Sequence, residues 1–363
     1  MAKTYRRHYE ITRADVLYAL LEWLSGESGQ KNGHRIAEEY GSIERLVEEI
    51  YVEIRERRLR FRPIRRYLRL EPTNGKVREI GIEEIKQQIC DYLVVTLLEE
   101  MYDAKIGFYQ VAAAKGKGQK LCRKALRRWV RKSRYHVKGD VRKCYPSTRH
   151  DVVLRVYRKL VGSADILYVI ERLLETYTKG GLEIGSYFSL KTMQLVLSFG
   201  YHHVEGLYKV RRGKRVSLVT HQIWHMDDML LISASKRDLK MAMRSLQRYL
   251  KAEFGLDMKG WKVSKTGDVE PLDLGGWVTR EERCTLRSGT FLRGTRSFAG
   301  FRKCSSPYNA RRCASYWGWF VHGDNSDVMN RRRMGSTFAH ARAVVSRDDR
   351  RRNVAKDAER QAA

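Results

Sequence analysis

The tetrapeptide His225-Met226-Asp227-Asp228 lies between two strand-like runs, residues 218–224 and 229–233, and the interpretation of the whole chain starts from it. The pattern predicts a tight β-hairpin with two adjacent carboxylates at its turn. Like charges this close repel, and each carboxylate disfavours ionisation of the other. A hard divalent cation such as magnesium, which prefers oxygen ligands, removes that cost. The alternative is a solvated acidic turn without a metal.

A third carboxylate upstream favours the metal site over the solvated turn. Asp140 lies in the segment 135–141, whose valines predict a short strand that ends near the acid. Together with the hairpin pair, Asp140 could hold two metal ions about 3.5–4 Å apart, the arrangement used for in-line phosphoryl transfer. We place Val141 in the same predicted metal site. Taken alone, Asp140 could instead cap the strand or pair with Lys138 or Arg142.

The chain is strongly basic. It has 363 residues, with 72 Lys and Arg against 42 Asp and Glu, and therefore a formal net charge of +30. Such a balance indicates a polyanionic partner, usually nucleic acid, although ribosomal and membrane-surface proteins share it. Apolar residues make up 42% of the chain, which is enough for a sizeable core.

Neither a membrane segment nor a signal peptide is visible in the sequence. No apolar run reaches about 18 residues, and the first residues lack an apolar segment. The six cysteines form no C-x-x-C pair, and their scatter is typical of reduced thiols. We therefore expect a cytoplasmic protein without a membrane partner.

Hydrophobic periodicity predicts an α+β chain. The run 67–82 reads as a β-hairpin with its turn at 73–76. The segment 346–363 is charged, and we expect it to be disordered. Apolar residues at helical spacing predict helices over 12–25, 85–101 and 150–178, and a further helix capped by Ser42.

Two basic features before Asp140 suggest contacts with a phosphate backbone. Gly116 and Gly118 alternate with Lys115 and Lys117 in a loop whose backbone amides could approach a phosphate. The following helix has an apolar stripe on one side and a cationic wall on the other. Flexible loops and solvated helix faces give the same patterns. The wall includes Arg127, Arg128 and Arg131.

The order of these motifs resembles the palm of reverse transcriptases. Asp140 to Tyr145 is similar to the first catalytic motif of that family, and His225 to Asp228 is similar to its x-Met-Asp-Asp box. Gly181 to Ser189 resembles the segment with which bacterial members position the template and the incoming nucleotide. The resemblance extends from about residue 60 to about residue 326.

Segments after the acidic hairpin continue the resemblance. Gly255 to Lys262 is similar to the Gly-Leu-x-x-x-x-x-Lys segment, and Leu274 to Trp277 to the turn called the primer grip. Leu292-Arg293 and Ser315 to Trp319 resemble the thumb of diversity-generating retroelement and related prophage enzymes.

The resemblance implies a right-hand polymerase fold, in which the palm is an antiparallel sheet with helices on one face and the thumb is helical. The implied boundaries are a helical extension over 1–58, fingers over 59–134, a palm with a finger-like insertion over 135–283, a thumb over 284–345 and a basic tail over 346–363.

The resemblance also implies an RNA-directed DNA polymerase that adds dNTPs to a primer 3′ end. Asp140, Asp227 and Asp228 would hold two Mg²⁺ ions, for which Mn²⁺ could substitute. Tyr145 would lie under the sugar and exclude a 2′-hydroxyl, and Lys262 would protonate pyrophosphate. Nucleotide contacts are expected from Lys76, Arg78, Gly185 and Ser189. Contacts with template and primer are expected from Lys115, Lys117, the cationic wall, Gly275, Gly276, Trp277, Arg293 and Trp317.

Two departures bear on the subfamily. Leu190 stands where diversity-generating enzymes usually carry Gln, and His225 stands where Tyr or Ala is commoner. Retron-type signatures are missing, and we expect no added endonuclease, so a complete group II intron protein is not indicated. Bacterial retroelement, prophage and antiviral defence enzymes all share the remaining motifs.

Two alternatives to a templated reverse transcriptase follow from these departures. One is a protein-primed or template-independent DNA polymerase in antiphage defence. The other is a non-catalytic, maturase-like RNA-binding protein that keeps the fold. Beyond an RNA template and a DNA primer, a cognate non-coding RNA or an accessory protein is a further candidate partner.

Overall fold

A computed structural model describes residues 4–70, 77–113, 116–267, 269–281 and 283–362, with the backbone alone at 352, 353 and 355–362. The chain forms two units. Unit 1 consists of Met1–Gly118 and Tyr135–Val263, and unit 2 consists of Gln119–Arg134 and Ser264–Ala363. Helices and strands mix in both, as the predicted α+β class requires. Of the predicted boundaries, the one at 135 coincides with a limit of these units, whereas those at 59 and 284 do not.

The N-terminal part of unit 1 is helical. The Thr12 side chain caps the first helix in a reciprocal capping box with Asp15. The predicted N-cap Ser42 accepts a hydrogen bond from the Arg45 backbone N–H at 3.2 Å. The helices are α1 (Arg13–Ser25), α2 (Glu27–Asn32), α3 (Arg35–Tyr40) and α4 (Ile43–Arg55).

A β-hairpin and two helices follow. Strands β1 (Arg65–Leu70) and β2 (Val77–Ile82) pair antiparallel as predicted, and the predicted turn at 73–76 lies outside the described residues. The single helix predicted over 85–101 is two helices, α5 (Ile85–Leu97) and α6 (Glu99–Lys105), because the backbone leaves the helical region at Leu98, with φ −106° and ψ 14°.

The central sheet of unit 1 carries the acidic motifs. Strand β3 (Tyr135–Asp140) pairs antiparallel with β7 (Asp228–Ser233), which pairs antiparallel with β6 (His221–His225). Helix α12 (Lys236–Phe254) follows β7. Between β3 and β6 the chain forms α8 (Cys144–Ser147), α9 (His150–Leu160), α10 (Ala164–Glu175), α11 (Tyr187–Glu205), β4 (Tyr208–Arg211) and β5 (Lys214–Ser217). Helix α7 (Gln119–Val130) belongs to unit 2.

One hydrophobic core holds unit 1 together. Helix α12 packs on β3 and β7, and α11 packs on α5 and α12. The period of the buried residues Leu239, Met243, Leu246 and Leu250 gives α12 one apolar face, which lies in this core. Val263, the last residue of unit 1, begins strand β8 (Val263–Lys265).

Unit 2 has its own core. Strands β9 (Leu272–Leu274), β10 (Trp277–Thr279) and β11 (Cys284–Leu286) form an antiparallel sheet on which α7 packs. The helices are α13 (Ser288–Lys303), α14 (Pro307–His322), α15 (Ser326–Arg331) and α16 (Met334–Ala362).

Helix α16 differs from the disordered tail expected over 346–363. It continues through residue 362, because the segment is rich in Arg and Ala, which are good helix formers. Arg311 of α14 also forms ion pairs with Asp348, at 2.7 Å, and Asp349, at 2.5 Å. No helix within the described residues is apolar over a length that would cross a bilayer. All six cysteines are free thiols, and Cys304 is the exposed one.

Candidate active site

Two of the three predicted metal ligands face each other across the central sheet. Asp140 is the last residue of β3, and its Cα partner in the antiparallel ladder is Asp228, the first residue of β7. Residues directly opposite in such a ladder are about 4.5–5.5 Å apart. The sheet register therefore brings together two acids that are 88 positions apart in the sequence.

The third acid lies in the turn between β6 and β7. His225 and Asp228 are Cα partners, so Met226 and Asp227 form a two-residue hairpin loop. Met226 has a φ of +55°, a left-handed conformation that side-chain-bearing residues seldom adopt. This turn keeps Asp227 beside the ends of both neighbouring strands.

The three carboxylates act on one another electrostatically. The pKa of Asp227 is raised, first by burial and then by the negative charge of Asp140 and, less, of Asp228. The Lys259 ammonium opposes this effect. An excess of negative charge in a partly buried place is the condition that a bound cation relieves.

Lys259 is a residue of this site that the sequence did not single out. Its Nζ lies 2.7 Å from Asp140 Oδ1, and its backbone N–H donates to the Asp140 carbonyl oxygen at 2.8 Å. Lys262, the predicted general acid, is exposed. Lys138, considered above as a partner of Asp140, lies 3.9 Å from Asp228 Oδ2 instead.

The donors at this site suit a hard divalent cation. Asp140 Oδ1 is a buried carboxylate oxygen whose partner in the structure is the Lys259 ammonium at 2.7 Å. Val141 is fully buried opposite Met258, so only its backbone carbonyl could serve as a ligand. Within the described residues, no three His, Cys, Asp or Glu side chains already converge as a metal cluster. The carboxylates would have to turn towards one another to share an ion.

A cavity of about 600 Å³ in unit 1 brings three predicted nucleotide residues together. Arg78 from β2, Tyr145 from α8 and Gly185 all line it, and so does Leu190 of α11. The pKa of Tyr145 is raised by burial and by the charge of Asp227, and is lowered by Arg78. These interactions place Tyr145 close to both the carboxylates and the Arg78 guanidinium.

Gly185 has a structural reason to be glycine. Its φ is +119°, and a Cβ atom there would lie 2.6 Å from the Gly81 carbonyl oxygen of β2. The neighbouring Ile184 carbonyl accepts a hydrogen bond from the Gly81 N–H at 2.9 Å. The β1–β2 hairpin thus makes a close backbone approach to Gly185, which the sequence analysis expected to contact the nucleotide. Ser189 is fully buried and is not among the described residues that line the cavity.

The cavity lining includes a buried acid pair, Glu83 and Asp91. Burial raises the pKa of both, that of Asp91 to about 6. Asp91 Oδ2 accepts hydrogen bonds from Ser186 Oγ at 2.7 Å and from the Phe188 N–H at 3.0 Å. The pair therefore anchors the start of α11 to α5.

The predicted basic contacts are only partly open to solvent. Lys76 and Lys115 lie outside the described residues. Lys117 Nζ donates to the Gly107 carbonyl at 3.2 Å, and burial lowers its pKa. Arg127 pairs with Asp324 at 2.8 Å. Arg128 of α7 and Arg131, just after that helix, are exposed.

The predicted aromatic contacts belong to the packing of unit 2. Trp277 is 2% exposed, and its Nε1 donates to Gln119 Oε1 at 3.0 Å. Trp317 stacks on Phe338 of α16 with ring centroids 4.4 Å apart. The structure thus places both rings in helix and sheet packing, and their contact with nucleic acid stays a prediction. Two glycines and an arginine were also predicted to contact nucleic acid. Gly275 has a φ of +58°, and Gly276 has a φ of +87° and lies beside Trp319. Arg293 donates a hydrogen bond to Thr290 Oγ1 at 3.3 Å.

Carboxylates at the end of an antiparallel sheet, beside a cavity lined by an arginine, suit metal-assisted nucleotidyl transfer, the chemistry of nucleic-acid polymerases. The family model described as reverse transcriptase (RNA-dependent DNA polymerase) matches residues 70–277, more than half of the chain. The chain therefore belongs to the reverse transcriptase family: it has a polymerase fold and is a nucleotidyltransferase, an RNA-directed DNA polymerase. No curated protein matches it. The family resemblance seen in the sequence is thereby confirmed, and the bacterial subfamily stays a prediction.

Proposed function

We propose that the chain copies an RNA template by adding dNTPs to a DNA primer 3′ end, with Asp140, Asp227 and Asp228 holding two Mg²⁺ ions. The observation that carries the proposal is the register that pairs Asp140 with Asp228 and leaves Asp227 in the adjoining turn. When bound, the ions would activate the primer 3′-hydroxyl and neutralise the triphosphate. Mn²⁺ would substitute for Mg²⁺.

Residues of this chain prepare the site for those ions. The Asp227 carboxyl has to be ionised, against a pKa raised by burial and by Asp140. Asp140 has to exchange the Lys259 ammonium for a metal ion. Binding of a cation would therefore require an ionised Asp227 and a displaced Lys259 side chain.

The cavity beside Tyr145 is the proposed nucleotide site. Arg78, together with Lys76 of the same hairpin, would bind the triphosphate. Tyr145 would lie under the sugar and exclude ribonucleotides, and Gly185 would let the hairpin backbone close the pocket. Leu190 gives the pocket an apolar wall where related enzymes often carry Gln. Lys262 and Ser189, which are not in this cavity, have weaker support as nucleotide contacts.

The subdomains follow from the family. We assign fingers to 59–134, a palm to 135–283 and a thumb to 284–345, with exposed Arg128 and Arg131 as backbone contacts for the RNA–DNA duplex. The β6–β7 hairpin on its antiparallel sheet, with α11 and α12 packed beneath, supports the palm assignment.

Primer extension on a defined RNA template, with Mg²⁺ and dNTPs, tests this function. We expect template-complementary DNA. Products of random sequence when the template is omitted would favour a template-independent enzyme, and RNA binding without any incorporation would favour a non-catalytic protein.

Sugar selection tests the role of Tyr145. Replacing it by alanine removes the ring under the sugar, so we expect NTP incorporation relative to dNTP to rise about tenfold or more. Tyr145→Phe keeps the ring and serves as the control, with selectivity near that of the native enzyme. Unchanged selectivity in Tyr145→Ala would contradict this role.

A further inference from the structure

A stripe of positive charge runs along the outer face of α12. It consists of Arg237, Lys240, Arg244, Arg248 and Lys251, all exposed, at steps of three or four residues. Residues at these steps lie above one another on one side of a helix. The stripe extends over about 21 Å of helix axis and points away from the core residues that pack on β3 and β7.

The charges of the stripe are hardly neutralised by the protein. Lys251 pairs with Asp257 at 2.8 Å, but among the described residues none of the other four forms an ion pair with a carboxylate. The two acids of α12 are engaged elsewhere: buried Asp238 with Lys209, and Glu253 with Arg155 at 3.7 Å. An ordinary solvated helix alternates its charges, whereas repeated like charges four residues apart destabilise it.

The stripe borders a concave surface. A groove of about 780 Å³ is lined by Arg244, Gln247, Arg248, Lys251, Ala252 and Asp257. The Trp261 Nε1 donates to Gln247 Oε1 at 3.3 Å, so an indole edge lies beside the groove. Cations around a partly apolar floor suit a chain that has both phosphates and bases.

A basic hairpin adjoins the N-terminal end of the stripe. The Lys209–Asp238 ion pair ties strand β4 to the first turn of α12. Arg211, Arg212, Lys214 and Arg215 of the β4–β5 hairpin are exposed, and the Arg215 guanidinium lies 4.4 Å from the centre of the exposed Tyr208 ring. Cations interleaved with an aromatic ring are typical of nucleic-acid surfaces.

We propose that the α12 stripe and the β4–β5 hairpin form a second RNA-binding surface, which binds the backbone of an RNA segment other than the one paired with the primer. The stripe lies on the side of α12 opposite the sheet that carries the carboxylates, so it is not part of the proposed copying site. The inference rests on the proposed function only in taking RNA as the ligand. Such a surface would hold a structured or flanking part of the template-bearing RNA.

Matched triple variants test this surface. Arg237→Gln/Arg244→Gln/Arg248→Gln removes three stripe charges. The control, Arg13→Gln/Arg149→Gln/Arg158→Gln, removes three exposed arginines that are paired with Glu48, Asp151 and Glu171. Both sets lower the net charge equally, and glutamine preserves the helices. Fluorescence anisotropy with a labelled single-stranded RNA, at several salt concentrations, measures binding.

We expect the stripe variant to bind RNA about tenfold or more weaker than the control, with the slope of log K against log salt smaller by about 2. Extension of a short preannealed primer–template at saturation stays equal in both variants. Equal RNA affinity of the two variants would overturn the proposal. So would a stripe variant that keeps RNA binding but loses binding to vesicles of anionic lipid. If the native chain extended no primer, the proposed function would be wrong. The difference in RNA affinity between the stripe variant and the control would still test the second RNA-binding surface.

Discussion

Lys259 shows what a single residue adds to the carboxylate site. The segment 255–262 contains two lysines, and the motif pattern favours Lys262. The chain is irregular there apart from the Val141–Met258 bridge, so no period predicts which lysine turns towards Asp140. In the structure Lys259 makes this contact: its ammonium forms an ion pair with one carboxylate oxygen of Asp140, a proposed metal ligand.

Removing this ammonium should make metal binding easier. In the native chain, Asp140 would have to give up its ion pair with Lys259 before it could bind a metal ion. In Lys259→Met this pair is absent, so we expect Mg²⁺ to raise the melting temperature at a several-fold lower concentration than in the native chain. Without added Mg²⁺, the variant should melt below the native chain, because Asp140 loses its ion-pair partner and Asp227 loses a neighbouring positive charge. Thermal melts across a Mg²⁺ titration measure both effects. Lys262→Met is the matched control, and identical titrations for the two variants would contradict the assignment.

The Glu83–Asp91 pair gives a pH dependence at the residue scale. The pKa of Asp91 in the folded chain is about 6, above its ordinary 3.8, so folding favours the protonated acid. Stability is therefore lost as pH rises from about 4 through 6, and the loss is complete above that range. Asp91→Asn keeps an acceptor for Ser186 and Phe188 but does not ionise.

We expect the unfolding free energy of Asp91→Asn, minus that of the native chain, to grow by about 1–3 kcal/mol between pH 4 and 7. Urea unfolding at several pH values measures it. Asp327→Asn, at an exposed position of α15, is the control. A difference that stays constant with pH would contradict the raised pKa of Asp91.

At the scale of elements, the β1–β2 hairpin docks on the segment before α11 through Gly81 and Gly185. In Gly185→Ala, the new Cβ atom would collide with the Gly81 carbonyl oxygen, and the alanine would have to keep a positive φ. We therefore expect the free energy of unfolding to fall by about 3 kcal/mol. Gly180→Ala has a φ of +73° but open space, so it should cost only about 1 kcal/mol. Denaturant unfolding compares the two, and equal losses would mean that the close approach is not what requires glycine.

The sequence predicted elements well where one periodicity repeated. The apolar faces of α1, α4 and α7, and the β6–β7 hairpin, were all visible because burial on one side leaves a regular pattern. Features set by tertiary contacts were not visible. These are the break at Leu98, the burial of Trp277 in unit 2 and the stacking of Trp317 on Phe338. A lone acid on an apolar helix, Asp91, was a signal for the buried pair that the sequence analysis did not use.

At the scale of the molecule, the order of motifs gave the family, and the net charge of +30 gave the class of partner. The carboxylates were predictable because a strand-borne acid and an acidic hairpin have few ways to share a sheet. The cavity was not, since its walls come from β2, α5, α8 and the start of α11, which only the folded chain brings together. The division into two units likewise follows from contacts that no local pattern shows.

The central claim is that Asp140, Asp227 and Asp228 together support nucleotidyl transfer. Single-turnover incorporation of one complementary dNTP on an RNA template, with Mg²⁺, tests it most directly. We expect Asp140→Asn and Asp227→Asn each to lower the rate by about a hundredfold or more. Asp151→Asn, an exposed acid paired with Arg149, should retain the native rate. A folded Asp227→Asn variant that incorporates at the native rate would contradict the account.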